Sequence, residues 1–435
     1  MSFAPVRHLG RHIGIVAPAI VVILSVACRG DSSTAPSVAP AALTQLPRPL
    51  SAVEQQLVTS SNGFAFSLFR DVDSSAGPDS NVFISPLSAS MALGMTAVGA
   101  AGPTLDSMRA VLGYRGLPVS QMADAYHSLI TLLGSLDPAV DFRIANAIWY
   151  DHSLDVLPSF VSTAQSDFGA PVTAEDFSNP ALTATINNWV NANTAGKIPT
   201  LINGPLSVYS VMFLADAMYF HGLWTQQFDV QRTRDTLFTT SSGATVPVQL
   251  MHVETSAPLY STPRYTAVDL SYGRNAYVMT VIVPATGVSL DSVIIALRNG
   301  EWSTLSNALD MSSGTTQVQV DLPKFTLTWG DTLNAPLKAL GMGIAFDDTA
   351  DFSNMATLAP NQRLKISTVF QKTFVDVDET GTTAAAATGV GIVITALPVS
   401  PPVVRADHPF VYVVRERLSG TVLFVGAFRH PPPQS

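Results

Sequence analysis

The chain has 435 residues, 47% hydrophobic and only 13% charged, so it can bury a large core and is not a disordered polymer. Its 23 Lys+Arg against 32 Asp+Glu give a net charge of -9, which offers no electrostatic footprint for a nucleic acid. The one cysteine, Cys28, excludes an intramolecular disulfide and a thiolate metal site, so the fold must stand on packing.

Residues 1–27 read as an export signal. Arg7 and Arg11 give a basic start, and residues 13–27 form an uncharged apolar run, too short for a spanning helix, that ends in small residues. Ser25-Val26-Ala27 before Cys28 fits ordinary signal-peptidase cleavage, and it also fits a lipoprotein signal in which Cys28 becomes the lipidated first residue. Ser25 stands where such a motif usually has Leu, but the sole cysteine occupies the position lipidation requires, so lipidation is expected. Residues 28–50, rich in Ala, Ser, Thr and Pro, then read as a lipidated or flexible tether.

After Ser51 the apolar stripe Ala52, Val53, Leu57, Phe64, Phe66, Leu68 and Phe69 predicts a helix. Ser85-Pro86 opens another, with Ser85 as cap and Pro86 at the first helical position. Helical patterns dominate to about residue 200. Strand patterns follow over 211–220, 277–284, 318–327, 370–377 and 410–414. Helices followed by strands indicate an α+β fold, and the absence of repeats or a second composition regime indicates one domain over 51–435. No G-x-S-x-G elbow, H-E-x-x-H helix, Walker loop or dinucleotide fingerprint is present, so no catalytic residue, metal or cofactor is assigned.

Residues 378–402 are unusual: small, almost uncharged, and closed by Pro398, Pro401 and Pro402, which cannot donate to a central ladder. As a loop the stretch is long for a compact domain. As a strand it would place Thr382, Ala384, Ala386, Thr388, Val390, Ile392 and Ile394 on one face and the odd-numbered residues on the other. A segment that is a loop in one state and a strand in another fits these residues, and so does an Ala/Gly linker before a C-terminal strand pair.

An ordered series of motifs decides between them. Asn81-Val82-Phe83-Ile84-Ser85-Pro86-Leu87-Ser88, Gly196-Lys197-Ile198 with Trp189, Tyr219-Phe220-His221-Gly222-Leu223-Trp224, Leu322-Pro323-Lys324-Phe325, Leu340-Gly341, Ala350-Asp351-Phe352-Ser353, and His408-Pro409-Phe410 with Leu423-Phe424-Val425-Gly426 occur in the order found in serpins. From about residue 52 to 431 the chain resembles that family, in a bacterial-type, exported form. The resemblance implies a single α+β domain of three β-sheets and eight to nine helices with an exposed reactive loop over about 379–402. It implies no catalysis but inhibition of a serine protease, which cleaves the loop, is held as a covalent acyl complex, and is carried off as the loop inserts into the main sheet.

Carried over residue by residue, the inhibitory hinge is Glu379, Gly381, Thr382, Ala384, Ala385, Ala386 and Ala387. Counting by the family's hinge-to-bond spacing puts the scissile bond between Thr395 and Ala396, whereas the local Pro-Val-Ser pattern favours Val399 and Ser400. Neither offers a basic or aromatic residue, so elastase-like or subtilisin-like targets are expected. The sheet-opening region comprises Ser85, Ser88, Asp216, Gln371, Trp224 and Lys324, with Lys324 and Glu379 where the family has an ion pair. Asp216 and Gln371 stand where the family pairs Asn with His, and an Asp acceptor and a Gln donor are expected to bond in their place. A monomer, exported and either membrane-anchored through Cys28 or extracellular, follows. A non-inhibitory binding or chaperone serpin is the alternative, disfavoured by the small hinge residues.

Overall fold

The computed structural model describes residues 41–207, 209–312, 316–381 and 401–432. All of them fall within one compact unit, Ala41–Ser435. Cys28 and the rest of 1–40 lie outside the described residues, as do Thr382, Ala384, Ala385, Ala386, Ala387, Thr395, Ala396, Val399 and Ser400.

Residues 41–50 differ from the expected tether. Leu43, Leu46 and Leu50 pack on the core, and Arg48 pairs with Glu54 at 2.6 Å, so apolar anchors spaced through a Pro-rich stretch bind it to the domain. α1 (Ala52–Ser75) then starts at a capping box, in which Ser51 accepts from the Glu54 N–H and Glu54 accepts from the Ser51 N–H. β1 (Val82–Ile84) leads into α2 (Pro86–Val98), capped by Ser85 as expected. There follow α3 (Gly102–Leu112), α4 (Val119–Leu136), β2 (Val140–Asp151), β3 (Asp155–Val156), α5 (Pro158–Phe168), β4 (Val172–Glu175) and α6 (Ala181–Asn193). The second half carries β5 (Met212–Gly222), β6 (Arg234–Thr239), β7 (Thr245–Ala257), β8 (Leu259–Ser261), β9 (Tyr265–Tyr272), β10 (Tyr277–Pro284), α7 (Leu290–Ala296) and α8 (Trp302–Met311). It continues with β11 (Thr316–Pro323), β12 (Phe325–Thr332), α9 (Asn334–Leu337), β13 (Ala356–Thr357), β14 (Phe370–Val377), β15 (Val403–Arg405), β16 (Phe410–Glu416) and β17 (Thr421–Phe428).

The fold is the α+β serpin domain, with nine α-helical segments among the described residues. Hydrogen bonding divides the described strands into five sheets rather than three: β1-β17-β16-β10-β9-β8, β15-β11-β7-β6, β4-β2-β5, β12-β14 and the two-residue pair β13-β3. The excess has a physical source. β5 is laddered only to β2, and β14 only to β12, so one surface is parted into a three-stranded and a two-stranded half. The single strand expected over 318–327 is also two strands: Pro323 ends β11 in one sheet and Phe325 begins β12 in another, with Lys324 at the corner.

α6 covers the outer face of the three-stranded half, burying Ile186 and Val190 near Trp149, Ala147 and Ala215. The chain after it crosses to the other half: Lys197 Nζ lies 5.1 Å from the Phe374 ring centre, and Lys372 donates to the Thr200 carbonyl at 2.6 Å.

Candidate functional site: the parting between β5 and β14

β14 alternates strictly, with Gln371, Thr373, Val375 and Val377 buried, and this period carries Gln371 inward beneath the parting. Beyond Val377 the chain reverses. Asp378 Oδ1 accepts from the Thr380 and Gly381 N–H groups at 2.9 and 3.2 Å and from the Thr380 hydroxyl at 2.6 Å, the short-side-chain device that stabilises a tight turn. Gly381 ends the turn at φ 137°, where a Cβ would sit 2.5 Å from both the Gly222 carbonyl oxygen and Leu223 Cα. Only glycine fits this approach.

The turn is fastened to the end of β5. Trp224 donates its N–H to the Thr380 carbonyl at 3.0 Å and its indole N–H to the Asp378 carbonyl at 2.9 Å, and Phe228 N–H reaches the Glu379 carbonyl at 2.8 Å. Trp224 is itself stacked on Tyr272 at 4.3 Å. The Glu379 side chain, 5% exposed, accepts from Lys324 Nζ and from the Thr233 hydroxyl, both at 2.8 Å. Burial alone would raise its pKa, but these two bonds outweigh burial and hold the carboxyl below its usual range. Gly381 bridges Leu223 and Asp378, antiparallel to each. The chain therefore leaves the hinge running opposite to both β5 and β14.

Beneath the parting, Ser85 is a junction. Its hydroxyl donates to the Leu423 carbonyl of β17 at 3.0 Å, and Gln371 clamps its backbone, accepting from the N–H at 3.0 Å and donating to the C=O at 2.7 Å. Ser88 donates to Asp216 Oδ1. The expected Asp216–Gln371 bond is not formed. Both ends of the Gln371 amide are spent on Ser85, and Asp216 Oδ2 is left out of water with no partner. Burial pushes the Asp216 carboxyl up to about 7, against the lowering effect of Ser88. A cavity of about 620 Å³ opens here, lined by Ser88, Leu93, Leu214, Asp216, Phe370 and Gln371 among others.

The structure thus brings together, at two ends of one parting, Glu379, Gly381, Trp224 and Lys324 at the rim and Ser85, Ser88, Asp216 and Gln371 at the floor. Thr233, Phe228 and Asn146, the register partner of Asp216, belong to the same assembly and carry no sequence signal. Among the described residues no cluster of His, Cys, Asp or Glu could hold a metal ion, and no helix is long and apolar enough to cross a membrane.

A family model described as Serpin (serine protease inhibitor) matches residues 59–431. The chain is 32% identical to Iripin-2 of Ixodes ricinus over 86% of its own length and 93% of that protein, and 32% identical to the leukocyte elastase inhibitor of Bos taurus over 87% and 100%. Among solved structures, the thermophilic serpin tengpin in its native state superposes with a TM-score of 0.78 at 27% identity, covering 90% of this chain and all of that one. This chain belongs to the serpin family of serine protease inhibitors.

Proposed function

We propose that this chain is a suicide-substrate inhibitor of serine endopeptidases with elastase-like or subtilisin-like pockets. The observation that carries the reading is the hinge: a turn ending at Gly381 directs the chain antiparallel to two strands that share no ladder, so an entering strand would find both edges free. The protease serine attacks the Thr395 carbonyl, forming an ester and releasing the Ala396 amine; insertion of residues 382–394 then outruns hydrolysis of the ester. The alternative bond, Val399–Ser400, works by the same chemistry. The names of the relatives, which include leukocyte elastase inhibitors, support the class of target. A trypsin-like pocket would bury its carboxylate against Thr or Val and leave it unpaired.

The partner is thus one protease held covalently by a monomeric inhibitor, with no part for nucleic acid or cofactor. Export in bacterial style, with Cys28 bearing the lipid anchor, completes the proposal. Incubation with pancreatic elastase is expected to give a complex stable to denaturing electrophoresis, and sequencing of the released fragment should begin at Ala396. Clean cleavage without a complex would support a non-inhibitory binding serpin instead, and rapid stable complexes with trypsin would overturn the assigned specificity.

A further inference from the structure

Two registered neighbours on the cavity wall each hold an oxygen out of water without a partner. Asp216 on β5 stands opposite Asn146 on β2, and Asp216 Oδ2 and Asn146 Oδ1 are both buried and unbonded. Side chains directly opposite in an antiparallel ladder share a face, with Cβ atoms about 4.5–5.5 Å apart. Two acceptors so placed repel each other, and a single proton on Asp216 Oδ2 turns them into a donor and an acceptor.

Nothing adjacent supplies that proton or a counter-charge. Asn146 Nδ2 donates to the Phe168 carbonyl at 2.9 Å, Ser88 serves the other carboxyl oxygen, and Gln371 Nε2 is held by Ser85. α2 and α6 contain no charged residue. On β2, Asp141 and Arg143 pair with each other, and on β5 the only other titratable groups are Tyr219 and His221, toward its far end. α4 presents the Tyr126 phenol, bonded to Tyr114, and burial raises both phenols so that they stay neutral. On β14, Lys372 is turned to the Thr200 carbonyl, and of the exposed residues Arg363 and Lys365 on the cavity lining, Lys365 is paired with Asp348.

We propose that Asp216 is a proton-operated latch on the parting between β5 and β14. The open arrangement holds the protonated carboxyl, bonded to Asn146. Loss of the proton to solvent leaves a buried charge without a partner and drives the two strands together, with the Gln371 amide passing from Ser85 to the carboxylate. The raised carboxyl agrees in sign: the open arrangement binds a proton that the closed one gives up, so opening weakens as pH rises toward about 7. The latch rests on the reading of the parting as the place that receives a strand.

The test is annealing of a synthetic peptide copying residues 381–394 to the full chain, followed by native-gel shift between about pH 5.5 and pH 8.5. The rate should rise roughly three- to tenfold toward acid in the wild type, since one proton is coupled to opening. Asp216→Asn, whose amide donates at every pH, should stay at the fast, acid-like rate throughout. Asn146→Leu keeps the carboxyl but removes its acceptor and should move the midpoint to lower pH; it serves where Asp216→Asn does not fold. A flat wild-type profile, or an Asp216→Asn profile as steep as the wild type, overturns the latch and leaves the inhibitory reading intact. A peptide that anneals at no pH sinks the strand-accepting parting, and the latch with it.

Discussion

Glu379 keeps its charge at 5% exposure because Lys324, Thr233 and its own backbone turn supply what water would. Lys324 is 42% exposed at its side chain, so the pair is worth less for its Coulomb energy than for what its loss would leave behind. Lys324→Met should therefore cost about 1–3 kcal/mol, the penalty of an undersatisfied buried acceptor. The sign with pH is fixed. The folded-state pKa of Glu379 is depressed, so its contribution is present above the unfolded value of about 4.3 and is lost as pH falls through the folded value. Denaturant titrations of the two proteins should differ at pH 7 and converge near pH 3; an equal gap at both would show that Lys324 acts by packing alone. At this scale the sequence yields Lys324, Glu379 and Gly381 through the family motifs, but not Thr233. A lone threonine 146 positions from its partner has no pattern to betray it. The Asp216–Gln371 bond fails for a similar reason: donor and acceptor types match, and only the structure shows that the amide is already engaged by Ser85.

Among elements, those with clear periods are legible and those without are not. The stripe of α1 and the alternation of β14 survive intact because each packs one face on the core. β2 is missed, since its burial pattern runs through several successive buried residues with no period-2 signal, inside a region dominated by helices. The break at Lys324 is missed because β11 and β12 are both strands and differ only in the sheet they join. The alternation argument extends to the hinge. In an inserted strand Thr382 leads the even-numbered face that must enter the sheet, and Thr383 leads the opposite one. Thr382→Arg should leave binding and acylation unchanged but would bury an unpaired guanidinium, costing several kcal/mol at the first step of insertion. Deacylation then wins, and the inhibitor becomes a substrate. Stoichiometry of inhibition against elastase reads this directly: it should rise sharply for Thr382→Arg and little for Thr383→Arg. Equal loss in both would refute the face assignment.

Across the whole molecule, one half is bolted and the other is divided. The six-stranded sheet is pinned by the fully buried Arg415, which reaches Asp269 at 2.7 Å from β16 to β9 and Asp310 at 2.9 Å on α8, and Arg429 joins Asp73 on α1 to Asp291 on α7. Those charges are paired and desolvated, so separating the elements would strand each of them. Against this frame β5 and β14 stand with unladdered edges, joined only at the rim by the bonds of residues 378–381. Backbone groups at such edges are the largest unspent source of stabilisation in the molecule. A strand running between them would gain roughly a dozen backbone hydrogen bonds at about 1 kcal/mol net each, on the order of 10 kcal/mol in all. Cleavage is what frees residues 382–394 to reach that position while β15 keeps its ladder with β11. For a domain of this size each kcal/mol shifts the melting midpoint by roughly 1–2 °C, so cleaved protein should melt about 10–20 °C above intact protein. The measurement is calorimetry before and after nicking by a protease that cuts the loop without being trapped. Thr382→Arg should cleave equally well yet gain little, which ties the rise to strand entry rather than to relief of loop strain. Were the nicked wild type to melt where the intact chain does, the free edges of β5 and β14 would not be a store of folding energy, and the inhibitory mechanism would lose its driving force.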